Sequence, residues 1–296
     1  MTDDRLKLAI QKSGRLADES KKLLEQCGIS FVKSKDQLFC KAQNFPLDIY
    51  FVRDDDIPAF VASNVCQIGI IGQNVLYEEK NSPHGETLKD VKSVFKLGFG
   101  RCRLSLAVPH DFVYDDIKSL EGKTIATTYE GLLGAYLKDK GITCKIVKMQ
   151  GSVEIAPRIK MADVVCDLVS TGSTLAINGL REVETVLESQ AVLVRNGALT
   201  DTQKELLERL LLRIKGVSTA QSSKYIMLHA PAASLEAIKS VLPGAESPTI
   251  LKLQGRDDVV AVHVVCNEGV FWDTMEDLKA KGASSILVLP IEKMLE

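Results

Sequence analysis

No apolar run in the 296-residue sequence approaches the roughly 18–20 residues of a membrane-spanning helix. A membrane partner is therefore not expected. The opening Met1-Thr2-Asp3-Asp4 is acidic and carries no secretory h-region, which points to a cytoplasmic protein. There is no cationic excess either. Lys plus Arg number 37 against 39 Asp plus Glu, a net charge of −2, too little basicity for a non-specific nucleic-acid binder. Any anion site must be local. The seven cysteines (Cys27, Cys40, Cys66, Cys102, Cys144, Cys166, Cys266) contain no C-x-x-C pair and do not gather with the four histidines (His84, His110, His229, His263). A disulfide framework and a structural zinc are both unexpected, and most cysteines read as small core residues. The sequence has no G-x-x-x-x-G-K-[ST] string, no internal repeat and no low-complexity tract, and no Ser-His-Asp or Cys-His constellation can be built from it.

What remains is an ordinary globular composition, 45% hydrophobic and 26% charged, at a length that suits two or three domains. Leu6, Leu8 and Ile10 alternate as a strand, and Leu16, Leu23, Leu24 and Cys27 follow at helical spacing up to Gly28. Strands are expected at Pro46 to Val52 and Val65 to Ile71. A second block has strands at Leu104 to Val108, Lys123 to Thr127, Ile146 to Met149 and Val164 to Ser170. One helix runs through Leu132 to Leu137 and closes at Gly141, and a short helix is expected from Val153 to Met161. This alternation predicts parallel sheets in two α/β lobes, with a ligand cleft at the carboxyl ends of the strands. Thr200 to Lys215 predicts a long amphipathic helix, and Ser218 to Ser223 a linker. The tail then reads as strand, helix, strand, strand, helix, strand. These are Lys224 to His229, Ser234 to Leu242, Thr249 to Leu253, Val259 to Cys266, Val270 to Lys281 and Ser285 to Leu289. That order is the ferredoxin-like pattern.

The most specific local signal is Asp167-Leu168-Val169-Ser170-Thr171-Gly172-Ser173-Thr174. An apolar strand runs into a glycine flanked by hydroxyl residues. Gly172 admits close backbone approach, successive N–H groups with Ser and Thr hydroxyls can wrap a phosphate, and Asp167 can accept from ribose hydroxyls. A turn with a Ser/Thr helix cap, a common motif, is the other reading of the same string. Gln11-Lys12-Ser13-Gly14-Arg15, between strand and helix, carries two cations suited to a polyanion, or is a solvated loop. Gly69-Ile70-Ile71-Gly72-Gln73-Asn74 ends a buried strand where a ligand can meet Gly72 and Asn74, or where packing and a turn suffice. Arg53-Asp54-Asp55-Asp56 can offer carboxylates to Mg²⁺, but capping of the following helix is the favoured reading. The two glycines of Leu97 to Arg103 suit a crossover between lobes, close backbone approach to a ligand, or an ordinary turn.

Together these strings resemble the ATP phosphoribosyltransferase family, long form. The resemblance is carried by Gln11 to Leu16, Arg53 to Pro58, Gly69 to Gly72, Cys102 to Ala107 and Asp167 to Leu175, then Ser222 to Met227 and Gly282 to Leu287, in order along the chain. It implies a two-lobed, periplasmic-binding-protein-like catalytic core and a C-terminal ferredoxin-like (βαββαβ) regulatory domain. Lobe I would comprise 1–103 and 184–218, lobe II with the PRPP loop 104–183, and the histidine-binding domain 224–296. The implied reaction joins ATP to 5-phosphoribosyl pyrophosphate (PRPP) with Mg²⁺, giving N1-(5-phospho-β-D-ribosyl)-ATP and pyrophosphate, the first step of histidine biosynthesis. The implied assembly is a homo-oligomer, dimer or hexamer.

By the same resemblance, Asp167, Ser170, Thr171, Gly172, Ser173 and Thr174 would hold PRPP. Lys12, Gly14, Arg15, Gly72, Asn74 and Glu154 would line the nucleotide and pyrophosphate site, with Lys12 and Arg15 acting in catalysis. Histidine would inhibit by binding His229, Ala245, Ser247, Thr249 and Ser285. No metal ligand is assigned. Two other classes fit less well. A solute-binding protein would need a secretory signal and leaves the tail unexplained. A non-catalytic sensor would need a helix-turn-helix or basic face.

Overall fold

The computed structural model describes residues 5–242, 247–267 and 271–295. The chain forms two compact units, Met1–Glu208 and Arg209–Glu296.

The first unit holds two sheets. In the first sheet, β1 (Leu6–Gln11), β3 (Leu47–Val52) and β4 (Ile68–Gly72) run parallel, with β1 between the other two. β2 (Phe39–Lys41) pairs antiparallel with β3 at one edge. At the other, β11 (Ala191–Arg195) runs antiparallel between β4 and β5 (Lys92–Lys96). Apolar residues fill the central strands because both faces are covered, so Leu6, Leu8, Leu47, Ile49, Ile68 and Ile71 are fully buried. α1 (Arg15–Gln26) follows β1, α2 (Ile57–Ala62) follows β3, and α3 (Gln73–Lys80) follows β4.

The second sheet has the order β10, β6, β9, β7, β8. β7 (Thr124–Thr127), β8 (Lys145–Lys148) and β9 (Val164–Val169) are mutually parallel, with β7 central. β6 (Cys102–Pro109) pairs antiparallel with both β9 and β10 (Leu180–Ser189). α4 (Glu130–Lys140) ends at Gly141, which takes the left-handed conformation, and Ile142 N–H closes back on the Leu137 carbonyl. α5 (Ser173–Ile177) follows β9.

The chain passes between the sheets twice, at Gly98–Arg101 and at Gln190, and the two passages are bonded side by side. Leu97 N–H donates to the Ala191 carbonyl, Ala191 N–H to the Phe99 carbonyl, and Gly98 N–H to Gln190 Oε1. The glycines of the Leu97 to Arg103 segment thus serve the expected crossover.

α6 (Asp201–Gln221) spans the boundary of the two units in the chain. In the second unit, β12 (Ser223–Pro231), α7 (Leu235–Lys239), β13 (Thr249–Leu253), β14 (Arg256–Asn267), α8 (Phe271–Ala280) and β15 (Ser284–Pro290) reproduce the ferredoxin-like order. The sheet runs β13, β14, β12, β15, and its recorded pairs are all antiparallel. Ile226, Leu228, Val262, Val264, Ile238 and Leu278 form its core. The fold is therefore α/β with a two-lobed core and a ferredoxin-like tail.

Several expectations need correction. The sheets are mixed rather than parallel, because β6, β10 and β11 run against their neighbours. β10 lies wholly in the second sheet, so the return to the first occurs at Gln190 and not at residue 184. The strand expected from Val65 begins at Ile68, since Cys66 N–H is held by the Phe60 carbonyl at the preceding helix end. Only one 3₁₀ turn, Val153–Ile155, replaces the helix expected to Met161. Pro157 lacks an N–H, and Lys160 has a positive φ of 58°. Residues 218–221 are helix, not linker, because Val217 and Ala220 continue the buried stripe of α6.

Candidate active site

β1, β3 and β4 are parallel, so the residues that follow them share one edge of the first sheet. Lys12 to Arg15 follow β1, Arg53 to Asp56 follow β3, and Gln73 and Asn74 follow β4. The same geometry in the second sheet puts Thr128 and Tyr129, Met149 to Gly151, and Ser170 to Thr174 on one edge, after β7, β8 and β9. These two carboxyl edges meet across a cleft of about 640 Å³, bordered by Arg53, Asp55, Glu79, Tyr129, Lys148 and Gln150 among others.

Two contacts hold the edges together. Asn74 Nδ2 donates to Tyr129 Oη at 2.9 Å, while Asn74 N–H donates to Ser189 Oγ at 3.0 Å and Ser189 Oγ returns its proton to Asn74 Oδ1 at 2.8 Å. Glu78, from α3, accepts the N–H groups of Gly131 and Leu132 at 2.9 and 2.8 Å, capping α4 of the other lobe. Asn74 is buried and its amide is already occupied, so its side chain is a brace rather than a floor for ligand. Gly72 fits this picture. A Cβ there would stand 2.5 Å from Asn74 Oδ1, so packing against the brace demands the glycine.

At the end of β1 the backbone turns at Gly14, whose φ of 93° suits glycine, and α1 begins at Arg15. Lys12 N–H donates to the Val52 carbonyl at 2.8 Å, which fixes the loop, and the Lys12 and Arg15 side chains are exposed. Neither side chain has an ion-pair or hydrogen-bond partner among the described residues.

Asp167 lies near the end of β9 on the face that also carries Val165 and Val169. Its Oδ1 accepts the Leu168 N–H at 2.8 Å. Burial pushes its carboxyl above the usual range, the Leu168 bond opposes this, and nearby Glu154 adds to it. Glu154 and Asp167 share a cavity of about 250 Å³ with Ser170, Thr171, Gly172 and Thr174. Gly172 takes a φ of 80° at the start of α5, and Thr171 Oγ1 and Ser173 Oγ pair at 2.9 Å. The turn exposes hydroxyls and first-turn amides, which a helix cannot satisfy itself. Arg103 makes a two-armed ion pair with Glu182 and reaches the Ser170 carbonyl at 3.4 Å, bracing the turn from below.

The run Asp54–Asp56 forms a 3₁₀ turn ahead of α2 and makes no side-chain cap hydrogen bond, contrary to the capping expectation. Asp55 instead borders the cleft beside Glu79. Burial raises both carboxyls; Asp54 and Asp56 add to Asp55 against Arg53, and Asp55 and Glu78 add to Glu79 against Lys148 and His84. Sequence reasoning missed Glu79, Tyr129 and Lys148. The last two directly follow or end strands, the place where ligands gather in such sheets, and that rule could have found them. Burial raises the Tyr129 hydroxyl, against the lowering bond from Asn74, and Asp167 and Asp54 push it further up. Tyr129 thus faces acidic groups from both lobes.

In the tail, His229 is half-buried on β12, opposite Ala261 and Ser284, and Ser285 follows at the start of β15. Thr249, on β13, pairs with His263 of β14 and so lies two strands away from His229. Ser247 is exposed, and Ala245 lies outside the described residues.

A model of the ATP phosphoribosyltransferase (HisG) family matches residues 53–216, and a model of the HisG C-terminal domain matches residues 220–293. Among solved structures, the chain is similar to the ATP phosphoribosyl transferase (HisG:HisZ) complex from Thermotoga maritima. Identity is 28% and the TM-score 0.58, over 71% of this chain and 98% of that one. A periplasmic sulfonate-binding protein from Methylobacillus flagellatus is 16% identical, with a TM-score of 0.48, over 72% of this chain and 68% of that one. The GluR0 ligand-binding core of Nostoc punctiforme is 15% identical, with a TM-score of 0.45, over 70% and 91%.

Proposed function

The chain belongs to the ATP phosphoribosyltransferase family, in its long form, and from that premise we propose how its cleft performs the transfer. The enzyme is a phosphoribosyltransferase of histidine biosynthesis. The observation that supports the site assignment is that segments following β3, β4, β7 and β8 line one cleft between the two sheets, while the Ser170–Thr174 turn, after β9 on the same edge of its sheet, borders a separate cavity with Asp167 and Glu154.

The amides and hydroxyls of Thr171, Gly172, Ser173 and Thr174 take the 5-phosphate of PRPP, and Ser170 joins them at the entrance to the turn. Asp167 accepts from the ribose hydroxyls. Lys12 and Arg15, beside Gly14, neutralise the polyphosphates, which would otherwise repel each other. N1 of adenine is a neutral nucleophile. Its lone pair attacks C1 of the ribose, the bond from C1 to the diphosphate oxygen breaks, and the diphosphate leaves with that electron pair. The configuration inverts to β, and no proton must be removed first. Among the described residues that line the two cavities there is no histidine or cysteine, consistent with this route. Rate enhancement comes from alignment of the two substrates and from cations at the departing diphosphate.

Among the described residues no three metal-ligating side chains cluster. Asp55 and Glu79, two carboxylates from different elements bordering one cavity, suit a hard, oxygen-seeking cation and would hold Mg²⁺. When bound, Mg²⁺ would screen diphosphate charge. Glu154, beside Asp167, lines the sugar end of the site.

In the tail, His229, Ser285 and Thr249 offer polar groups on one sheet for histidine, with Ser247 just before β13; Ala245 lies outside the described residues. Binding there would couple to the cleft in a dimeric or hexameric assembly of this chain in the cytoplasm. Among the described residues no helix is long and apolar enough to cross a membrane. An ultraviolet assay with ATP, PRPP and Mg²⁺ tests the reading. Phosphoribosyl-ATP should form, and added histidine should slow it. Absence of product overturns the proposed chemistry, and product formation indifferent to histidine overturns the proposed regulation.

A further inference from the structure

Among the described residues, Ser105 Oγ is the buried side-chain polar atom that has no hydrogen-bond partner. Ser105 is 0% exposed, in the middle of β6. A buried hydroxyl without a partner costs free energy, so its retention calls for a use. Its position suggests one. Ser105 stands directly opposite Asp167 across the β6–β9 ladder. Leu104 and Leu106 point into the core on one face of the sheet, while Ala107, Val165 and Val169 pack on the other. Alternation therefore puts Ser105 on the Asp167 face. Directly opposed residues have Cβ atoms about 4.5–5.5 Å apart, within reach of a hydroxyl and a carboxylate after one rotamer change. Asp167 Oδ1 takes the Leu168 amide, and Oδ2 has no partner among the described residues. On its other side the Ser105 hydroxyl faces the Glu182 carboxylate and helps to lower its pKa, without a hydrogen bond of ordinary geometry, while Arg103 holds that carboxylate in a two-armed bond.

We infer that Ser105 is a positioning residue for PRPP: its buried hydroxyl donates to the Asp167 carboxylate in the substrate complex and aims that carboxylate at the ribose. The inference rests on the reading of Asp167 as the ribose acceptor. The hydroxyl touches no substrate. It fixes the rotamer of a carboxylate that one backbone amide alone leaves free to turn.

Ser105→Ala, Ser105→Thr and Asp167→Asn in the full chain test this, by PRPP titration calorimetry, steady-state kinetics and thermal melting. Ser105→Ala removes a hydroxyl that makes no hydrogen bond of ordinary geometry in the free protein, so its melting temperature should change little. Its affinity for PRPP should fall roughly 10- to 100-fold, the range for a hydrogen bond to a charged group. KM for ATP should change little, and Ser105→Thr should restore most of the loss. In the double variant Ser105→Ala/Asp167→Asn, the second change should add little to the first. Unchanged PRPP affinity in Ser105→Ala while Asp167→Asn binds poorly overturns the role of Ser105 alone. Unchanged affinity in Asp167→Asn overturns the reading of Asp167 beneath it. A Ser105→Ala protein that melts early and loses ATP and PRPP binding alike makes the hydroxyl structural and also overturns the inference. If the alanine variant does not fold, Ser105→Cys, similar in size but a weak donor, should show the same selective loss, and full PRPP affinity there overturns the inference too.

Discussion

At the scale of single residues, Asp167 shows how function opposes stability. Its carboxyl is held above the ordinary range mainly by burial, with Glu154 adding to the effect. Between its unfolded and folded pKa values the native state binds more protons, so stability falls as pH rises through that window. Asp167→Asn removes the buried charge and should raise the melting temperature near neutral pH, while PRPP binding drops. The catalytic consequence has the opposite sign. As pH falls through the raised folded pKa the carboxylate is protonated and accepts less well from ribose. The acid limb of kcat/KM for PRPP should therefore lie above the usual aspartate range and flatten in Asp167→Asn. A limb unmoved by the substitution would assign it to another group. Arg15 has the complementary profile. It is exposed and unpaired among the described residues, so Arg15→Ala should melt with the parent but lose most turnover. Parental steady-state rates from that variant would remove Arg15 from the site.

At the scale of elements, the turn between β9 and α5 depends on Gly172. Its φ of 80° is left-handed, and a Cβ would find only Val169 Cγ1, at 3.9 Å. Space is no obstacle, so Gly172→Ala should fold with a loss of about 1–2 kcal/mol from backbone strain. The shifted amides should weaken PRPP binding more than ATP binding, as measured by denaturant titration beside substrate titration. This turn was legible in the sequence because its residue types have local reasons: an apolar strand, then glycine, then hydroxyls. So was the tail, whose alternation and helical spacing gave all six elements in order. β10 was not legible. Its residues Leu180–Ser189 interleave charges with apolar groups at a sheet edge, and register shifts interrupt the period of two. Strand direction was equally hidden, since pattern reports burial and not polarity of pairing. Small residues such as Ser218 and Thr219 suggested a linker, and only the burial of Val217 and Ala220 reveals a helix.

At the scale of the molecule, two lobes of the first unit are joined by paired crossings and braced by Asn74. From sequence, Asn74 read as a ligand contact because it follows a strand at the right edge. The side chain instead turns inward, a choice set by Ser189 and Tyr129, far away in the chain. Asn74→Ala takes away the acceptor of the Ser189 hydroxyl and the donor to the Tyr129 hydroxyl and should cost about 2–4 kcal/mol in equilibrium unfolding. A loss below about 0.5 kcal/mol, the level of ordinary surface changes, would contradict the bracing role. The cleft itself was foreseeable, since strand ends gather ligands, but the residues that border it from both lobes depend on how the lobes meet. The claim on which the rest depends is that the turn at Gly172 holds the sugar phosphate with Asp167 beside it. A crystal structure of the protein with PRPP tests it most directly. The 5-phosphate should sit against the amides of Thr171 to Thr174, with a ribose hydroxyl on Asp167. A phosphate bound elsewhere in the cleft, with that turn empty, would contradict it.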